Sequence, residues 1–405
     1  MLRLRNGRLW ARGALAEGSL AIAKGLVVAG GPTPARAEVD LGGRLVLPGM
    51  VNAHDHLDFS TFPPLGSPPY ASVYDWAAEV DAGRGDRRVA AALAVPLPDR
   101  LLLGGLRNLL AGVTAVAHHN PFHRVLARPD FPLRVLSRYH FAHSPGLTPA
   151  LRRTYRTTDR RIPWMVHAAE GTDERARGEL RLLEQANVLR QNTVIIHGIA
   201  LSDDDAPRIA AARACVVWCP ESNRRLYGAT ARVGALRAAG VRVGLGSDSP
   251  ASGVRDPLSN LAAARAEAAL PDAELIAMAT AGSGEVARLP VGGTEAGEPA
   301  DLVVWRGGRS TAARSCSTRW PSAGRPCRST ASRAGWRRYW RGAPRACCAG
   351  TAGWERRGCG AWSSTREVTL DTLAHDELQP GKGGPRLLSR GPARRGPRAP
   401  APPPS

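Results

Sequence analysis

Nine of the ten histidines in this 405-residue chain lie between His54 and His197, and several stand directly after short apolar runs that read as strands. That placement constrains the fold more than any other feature. From Leu47 onward such runs alternate with helical patterns. A helix over roughly 99–110 ends at Ala111-Gly112, and strand-like runs follow at 113–116, 131–136, 164–166, 193–196, 215–218 and 241–245. A helix over 173–186 puts Ala176, Leu180 and Leu183 on one face. Ser202 is a suitable cap for the next helix, with Asp203, Asp204 and Asp205 at its positive end. Strand–helix alternation over 47–290 predicts a parallel sheet closed into a (β/α)8 TIM barrel. Counting from Leu47 gives seven clear strands. The interval between His143 and Trp164 is too short for another full unit, so one strand of the eight is expected to be degenerate.

Residues 1–46 read differently. Short strands punctuated by Gly, Pro and Asn predict the N-terminal part of a small β-sandwich. The segment 291–308 returns to β character and is expected to rejoin that unit. After Gly308 the apolar period collapses. Residues 309–405 hold 19 basic and 5 acidic residues, so they carry +14 of the chain's formal +20. The same stretch has five of seven cysteines and five of ten tryptophans. With 53 Arg against 2 Lys the composition suits a GC-rich gene, and an Arg/Pro-rich tail of this vocabulary reads as disordered or as the product of a frameshift.

The charge therefore does not make the whole chain a nucleic-acid binder, and no nucleic-acid partner is expected. No run reaches the roughly eighteen apolar residues of a membrane helix. The N-terminus lacks the apolar block of a secretory signal, and the cysteines show no C-x-x-C pairing. A cytoplasmic enzyme with a small-molecule substrate is expected, with homo-oligomerisation left open.

Four elements carry chemistry. The first is Pro48-Gly49-Met50-Val51-Asn52-Ala53-His54-Asp55-His56, where alternate strand residues share a face. The second is His167-Ala168-Ala169-Glu170, the third His197-Gly198, and the fourth Gly246-Ser247-Asp248-Ser249. Each is ordinary alone. Together, each at a strand end, they occupy the face where (β/α) barrels carry their active sites.

In these elements the chain resembles the amidohydrolase superfamily, in particular its branch of aminohydrolases and chlorohydrolases. The resemblance covers roughly residues 1–305 and includes Cys219-Pro220-Glu221-Ser222-Asn223 and the closing Gly297-Glu298-Pro299-Ala300-Asp301-Leu302-Val303-Val304. It implies that His54, His56, His167 and Asp248 are metal ligands, and that Glu170, His197 and Asp248 handle protons. Imidazoles with a carboxylate suit Zn²⁺ first, with Fe²⁺ or Mn²⁺ as alternatives. Lys24 and Lys382 are the only lysines and lie outside the barrel, so no carboxylated lysine bridges a second ion, and one divalent ion is expected. His118, His119, His140 and Asn223 are substrate-binding candidates; of the adjacent pair His118 and His119, one is expected to face the pocket.

The implied activity is a metal-dependent hydrolase acting on C–N bonds other than peptide bonds, deaminating a cyclic or amidine-like small molecule. Two alternatives stand beside it: hydrolysis of a cyclic amide, and nucleic-acid binding through the basic tail.

Overall fold

The computed structural model describes residues 1–305, apart from 12 and 31–33, together with the pair 337–338. The chain divides into two units, Met1–Ala352 and Gly353–Ser405. The second unit, and the expected anomalous tail over 309–405 save for that pair, lie outside the described residues.

The N-terminal strands are β1 (Leu2–Ala11), β2 (Ala14–Ala23), β3 (Leu26–Val28), β4 (Ala37–Asp40) and β5 (Leu45–Pro48). β1 pairs antiparallel with β2 and parallel with both β4 and β5. All the strands of this unit join one hydrogen-bonded sheet, with Leu4, Leu20, Val27, Leu41 and Val46 buried against it.

Eight further strands are parallel to one another within their sheets. They are β6 (Met50–Asp55), β7 (Val113–His118), β8 (Arg134–Val135), β9 (His140–Ala142), β10 (Trp164–Ala168), β11 (Thr193–His197), β12 (Cys215–Trp218) and β13 (Arg242–Leu245). They form a three-stranded sheet, β6-β7-β8, and a five-stranded sheet, β9 to β13 in order. The last described strand of the body, β14 (Leu302–Trp305), returns to pair antiparallel with β5, and Arg337–Arg338 pairs with β14. Among the described residues no single helix is long and apolar enough to cross a membrane.

The eighth parallel strand is β9, which the sequence hides. Only 136–139 separate it from β8, with no helix between, and it spans three residues, too few to establish a period. Two helix expectations are also corrected. The stretch 173–186 breaks at Gly178 into Glu174–Arg177 and Glu179–Gln185, although Ala176, Leu180 and Leu183 are buried as their spacing requires. Ser202 does not cap its helix; its N–H and Oγ both donate to Asp205 Oδ2 at 2.9 Å.

Strands buried on both faces explain the near-continuous apolar runs. Alternate residues separate into two cores. Val51, Ala53, Ala115, Ala117, Met165, Val194, Ile196, Cys215 and Val217 pack together on one face. On the other, Val116, Trp164, Val166, Ile195, Val216 and Trp218 pack against helix residues such as Leu101, Leu180, Ile209 and Leu261.

On β6 the ladder is irregular between Asn52 and Asp55. Such a shift re-aims side chains. Asp55 turns toward the helix Leu97–Leu110, where Arg107 Nη2 donates to both of its oxygens at 2.6 and 2.7 Å. Asn108 Nδ2 at 2.7 Å, Asn52 Nδ2 at 3.0 Å and Ser247 Oγ at 3.1 Å also donate to this fully buried carboxylate. Removing the guanidinium leaves a charge buried without its counter-ion. Arg107→Ala is expected to lower unfolding free energy by about 3–5 kcal/mol in urea titration, and a loss below about 1 kcal/mol would contradict that role.

Candidate metal centre

Every expected ligand stands at the C-terminal end of a parallel strand or just past it. His54 is near the end of β6 and His56 follows it; His167 is on β10; Asp248 lies three residues past β13. The β6 and β13 ends are joined directly. The N–H groups of Ser247 and Asp248 donate to the His54 carbonyl at 2.9 and 3.0 Å, and Asp55 and Asp248 form a parallel bridge. Gly246 makes the approach possible, since a Cβ there would lie 2.6 Å from the His54 Cβ.

His54, His56 and His167 are buried, and each offers a nitrogen within 4.8 Å of the others. Asp248 Oδ1 is 3.9 Å from Nε2 of both His54 and His56. Burial holds all three imidazoles well below their ordinary range, and the neighbouring rings push the same way. The rings are therefore neutral at pH 7, and the 3.9 Å approaches bring lone pairs together rather than form ion pairs. Both nitrogens of His54, and Nδ1 of His56 and His167, are buried without a hydrogen-bond partner. A buried polar atom left unpaired costs about 1–3 kcal/mol. Neutral imidazoles with unpaired nitrogens beside a carboxylate fit a divalent cation, and these four residues could hold one. No other such group of His, Cys, Asp or Glu occurs among the described residues.

The proton-handling candidates adjoin this set. His197 Nε2 lies 3.5 Å from Glu170 Oε1, and the Tyr227 hydroxyl donates to the same oxygen at 2.7 Å. Burial pushes Glu170 up to about 8, against the Tyr227 hydrogen bond, and Asp248 up to about 6, against the pull of His197. His197 is shifted down by burial. As a neutral ring it donates from Nδ1 to Asn223 Oδ1 at 2.8 Å, which leaves the Nε2 lone pair facing Glu170.

Three non-glycine residues near these strand ends, Ala169, His197 and Asp248, have φ of 53°, 74° and 60°. Left-handed backbone at such residues is held against its preference by the surroundings, and it concentrates at functional sites.

The four substrate-binding candidates part company. His119 joins the site: its ring stacks on His167 with centroids 4.1 Å apart, and its Nε2 donates to the Ala142 carbonyl at 3.1 Å. Asn223 joins it through His197. His118 does not, because it falls on the opposite face of β7, where its Nδ1 accepts from the Leu57 N–H at 3.3 Å. His140 does not either: it starts β9 at the far end of the strand, where its Nδ1 lies 3.5 Å from Thr157 Oγ1. His143 instead reaches the cluster, with its ring centroid 5.1 Å from that of His167. Sequence reasoning missed Tyr227, since a tyrosine inside a polar helix carries no motif. Its hydroxyl fixes Glu170, so Tyr227→Phe is expected to lower kcat about tenfold with metal content unchanged, by the loss of one buried hydrogen bond. Wild-type kcat in that variant would remove Tyr227 from the site.

Known proteins resemble this chain in sequence and in fold. A sequence model of the amidohydrolase family matches residues 155–322. The 5-methylthioadenosine/S-adenosylhomocysteine deaminase of Halobacterium salinarum is 28% identical over 336 residues, which cover 69% of this chain and 77% of that protein. The aminodeoxyfutalosine deaminase of Deinococcus radiodurans is 29% identical over 308 residues, 58% of this chain and 72% of that one. Among solved structures, a zinc-bound adenosine deaminase from Xanthomonas campestris superposes with a TM-score of 0.61 at 21% identity, covering 75% of this chain and 84% of its own. That likeness carries the fold, an α/β arrangement of the TIM-barrel type. With the family match over residues 155–322 and the relatives beside it, the chain is similar in sequence and fold to the amidohydrolases.

Proposed function

We propose that this chain is a mononuclear metallohydrolase that removes an exocyclic amino group, as ammonia, from an amidine-like carbon of a small heterocycle. One observation carries the reading: three buried, neutral imidazoles with unpaired nitrogens converge beside Asp248, next to a carboxyl group that burial keeps protonated at neutral pH. His54, His56, His167 and Asp248 would hold the cation, Zn²⁺ by preference. When bound, such a cation activates water as a nucleophile near neutral pH.

The chain's own groups supply the rest. Asp248, beside the nucleophile's position, accepts its proton. His197, locked by Asn223, orients against charge developing at the attacked carbon. Glu170 holds a proton at Oε1 or Oε2 and gives it to the leaving nitrogen, which must depart protonated. His119 and His143 border the same space and are proposed to contact the substrate. The relatives' names specify 5-methylthioadenosine, S-adenosylhomocysteine and aminodeoxyfutalosine. An amino-bearing heterocycle of that kind is the class proposed here.

The eight parallel strands are proposed to close as one barrel over 47–290, with the Asp55–Asp248 bridge at one seam. The N-terminal strands β1 to β5 and the returning β14 are proposed to make the small β domain. A cytoplasmic setting suits the buried free thiols of Cys215 and Cys219.

The test is ammonia release by zinc-reconstituted protein across a panel of amino-heterocycles and cyclic amides. Ammonia from the former supports the reading. Ring opening of a cyclic amide without ammonia release overturns it.

A further inference from the structure

Glu170 acts only if its carboxyl is aimed, and the backbone that aims it is held in a disfavoured conformation. Ala169, between His167 and Glu170, has φ of 53°. Its N–H donates to Glu179 Oε2 at 2.6 Å. Glu179 is fully buried at the start of the helix Glu179–Gln185, and its second oxygen accepts from the Tyr74 hydroxyl. The Gly146 N–H donates to that hydroxyl oxygen at 3.1 Å, and the Arg175 guanidinium lies over the Tyr74 ring.

Tyr74 belongs to the helix Val73–Ala82, in the long excursion after β6. The same excursion grips the Glu170 segment through its backbone. The Val73 N–H donates to the Glu170 carbonyl at 3.0 Å, and the Thr172 N–H donates to the Ala71 carbonyl at 2.7 Å. Ser72 and Gly171 form an antiparallel bridge so close that a Cβ on Gly171, where φ is 149°, would lie 2.5 Å from the Ala71 oxygen.

Burying a carboxyl is expensive unless its oxygens are satisfied. Here they are satisfied by the strained backbone N–H next to Glu170 and by a hydroxyl from the segment that covers it. Resting on the deaminase reading above, we propose that Glu179 and Tyr74 are positioning residues: they hold Ala169 in its left-handed conformation and so set the direction of the Glu170 carboxyl. Neither touches the substrate. Misplacement of a reacting group by about 1 Å costs up to about a hundredfold in rate.

The test uses the zinc-loaded full chain and four variants, Glu170→Gln, Glu179→Ala, Glu179→Gln and Tyr74→Phe, with kcat, KM, zinc content and melting temperature measured for each. Glu179→Ala is expected to lower kcat at least about tenfold with KM within about twofold and zinc stoichiometry unchanged. Glu179→Gln keeps an acceptor for the Ala169 N–H and should recover most of that loss; Tyr74→Phe should fall between. Wild-type kcat in Glu179→Ala, a Gln variant as slow as the Ala variant, or a kcat loss that tracks zinc loss would each overturn the proposal. Its failure is separable from failure of the function itself. Active wild type with inactive Glu170→Gln upholds the deaminase reading whatever Glu179→Ala does, and a wild type that releases no ammonia defeats both.

Discussion

Replacing His54 with alanine is expected to empty the metal site and abolish turnover. His54 is the centre of the cluster, with its ring centroid 4.9 to 5.0 Å from those of His56, His119 and His167. It has no hydrogen-bond partner on either nitrogen, so it supports nothing else through those atoms. Changes to groups that merely orient metal ligands cost about 10–100-fold in affinity or activity, and loss of a ligand should exceed that. Zinc content should fall from about one ion per chain to a small fraction, and kcat/KM by about a thousandfold or more. The helices around it bury their apolar faces independently of the ring, so far-ultraviolet circular dichroism should be unchanged. Full zinc occupancy in His54→Ala would show that the cation, if bound, sits elsewhere.

The second large effect is at Glu170. Glu170→Gln keeps the shape and the acceptor for Tyr227 but removes the transferable proton, and kcat should fall about 10²–10⁴-fold. The pH dependence has a defined sign. Burial raises this carboxyl to about 8, so between the ordinary carboxyl range and pH 8 the folded chain binds a proton that the unfolded chain has lost. Its contribution to stability is complete at low pH and is lost as pH rises through about 8. Activity that needs the protonated group should decline over the same window. The alkaline limb of the kcat profile should vanish in Glu170→Gln; an identical limb in the variant would assign it to another group.

The alternation of strands and helices was legible because parallel strands covered on both faces are unbroken apolar runs, as at 193–196 and 215–218. The strand-end positions of His54, His56, His167 and Asp248 were legible from such runs, while their role as metal ligands came from the resemblance to amidohydrolases. What escaped depended on knowing which face points inward. His118 and His119 are neighbours, and only the packing of Ala115 and Ala117 in the inner core assigns the inner place to His119. On β6 alternation pairs His54 with His56 correctly, but it does not show that they share the inner side with Val51 and Ala53, which the irregularity in the ladder brings about.

Partnerships across long sequence separations were equally invisible. Asp55 reads as the filler of an H-x-H motif, yet it is the buried end of an ion pair with Arg107. Glu179 reads as a solvated position in a charged helix, yet it is fully buried beneath Ala169. Both are carboxylates whose cost is offset only by donors from distant segments, which no local pattern reveals.

One cation is expected to sit among His54, His56, His167 and Asp248. Anomalous diffraction at the zinc edge from crystals of the reconstituted chain locates that cation. A single peak within about 2.0–2.3 Å of one nitrogen from each ring and of an Asp248 oxygen is the expected result. Full enzymatic activity in crystals whose maps show no peak there, or a peak out of reach of those rings, would contradict it.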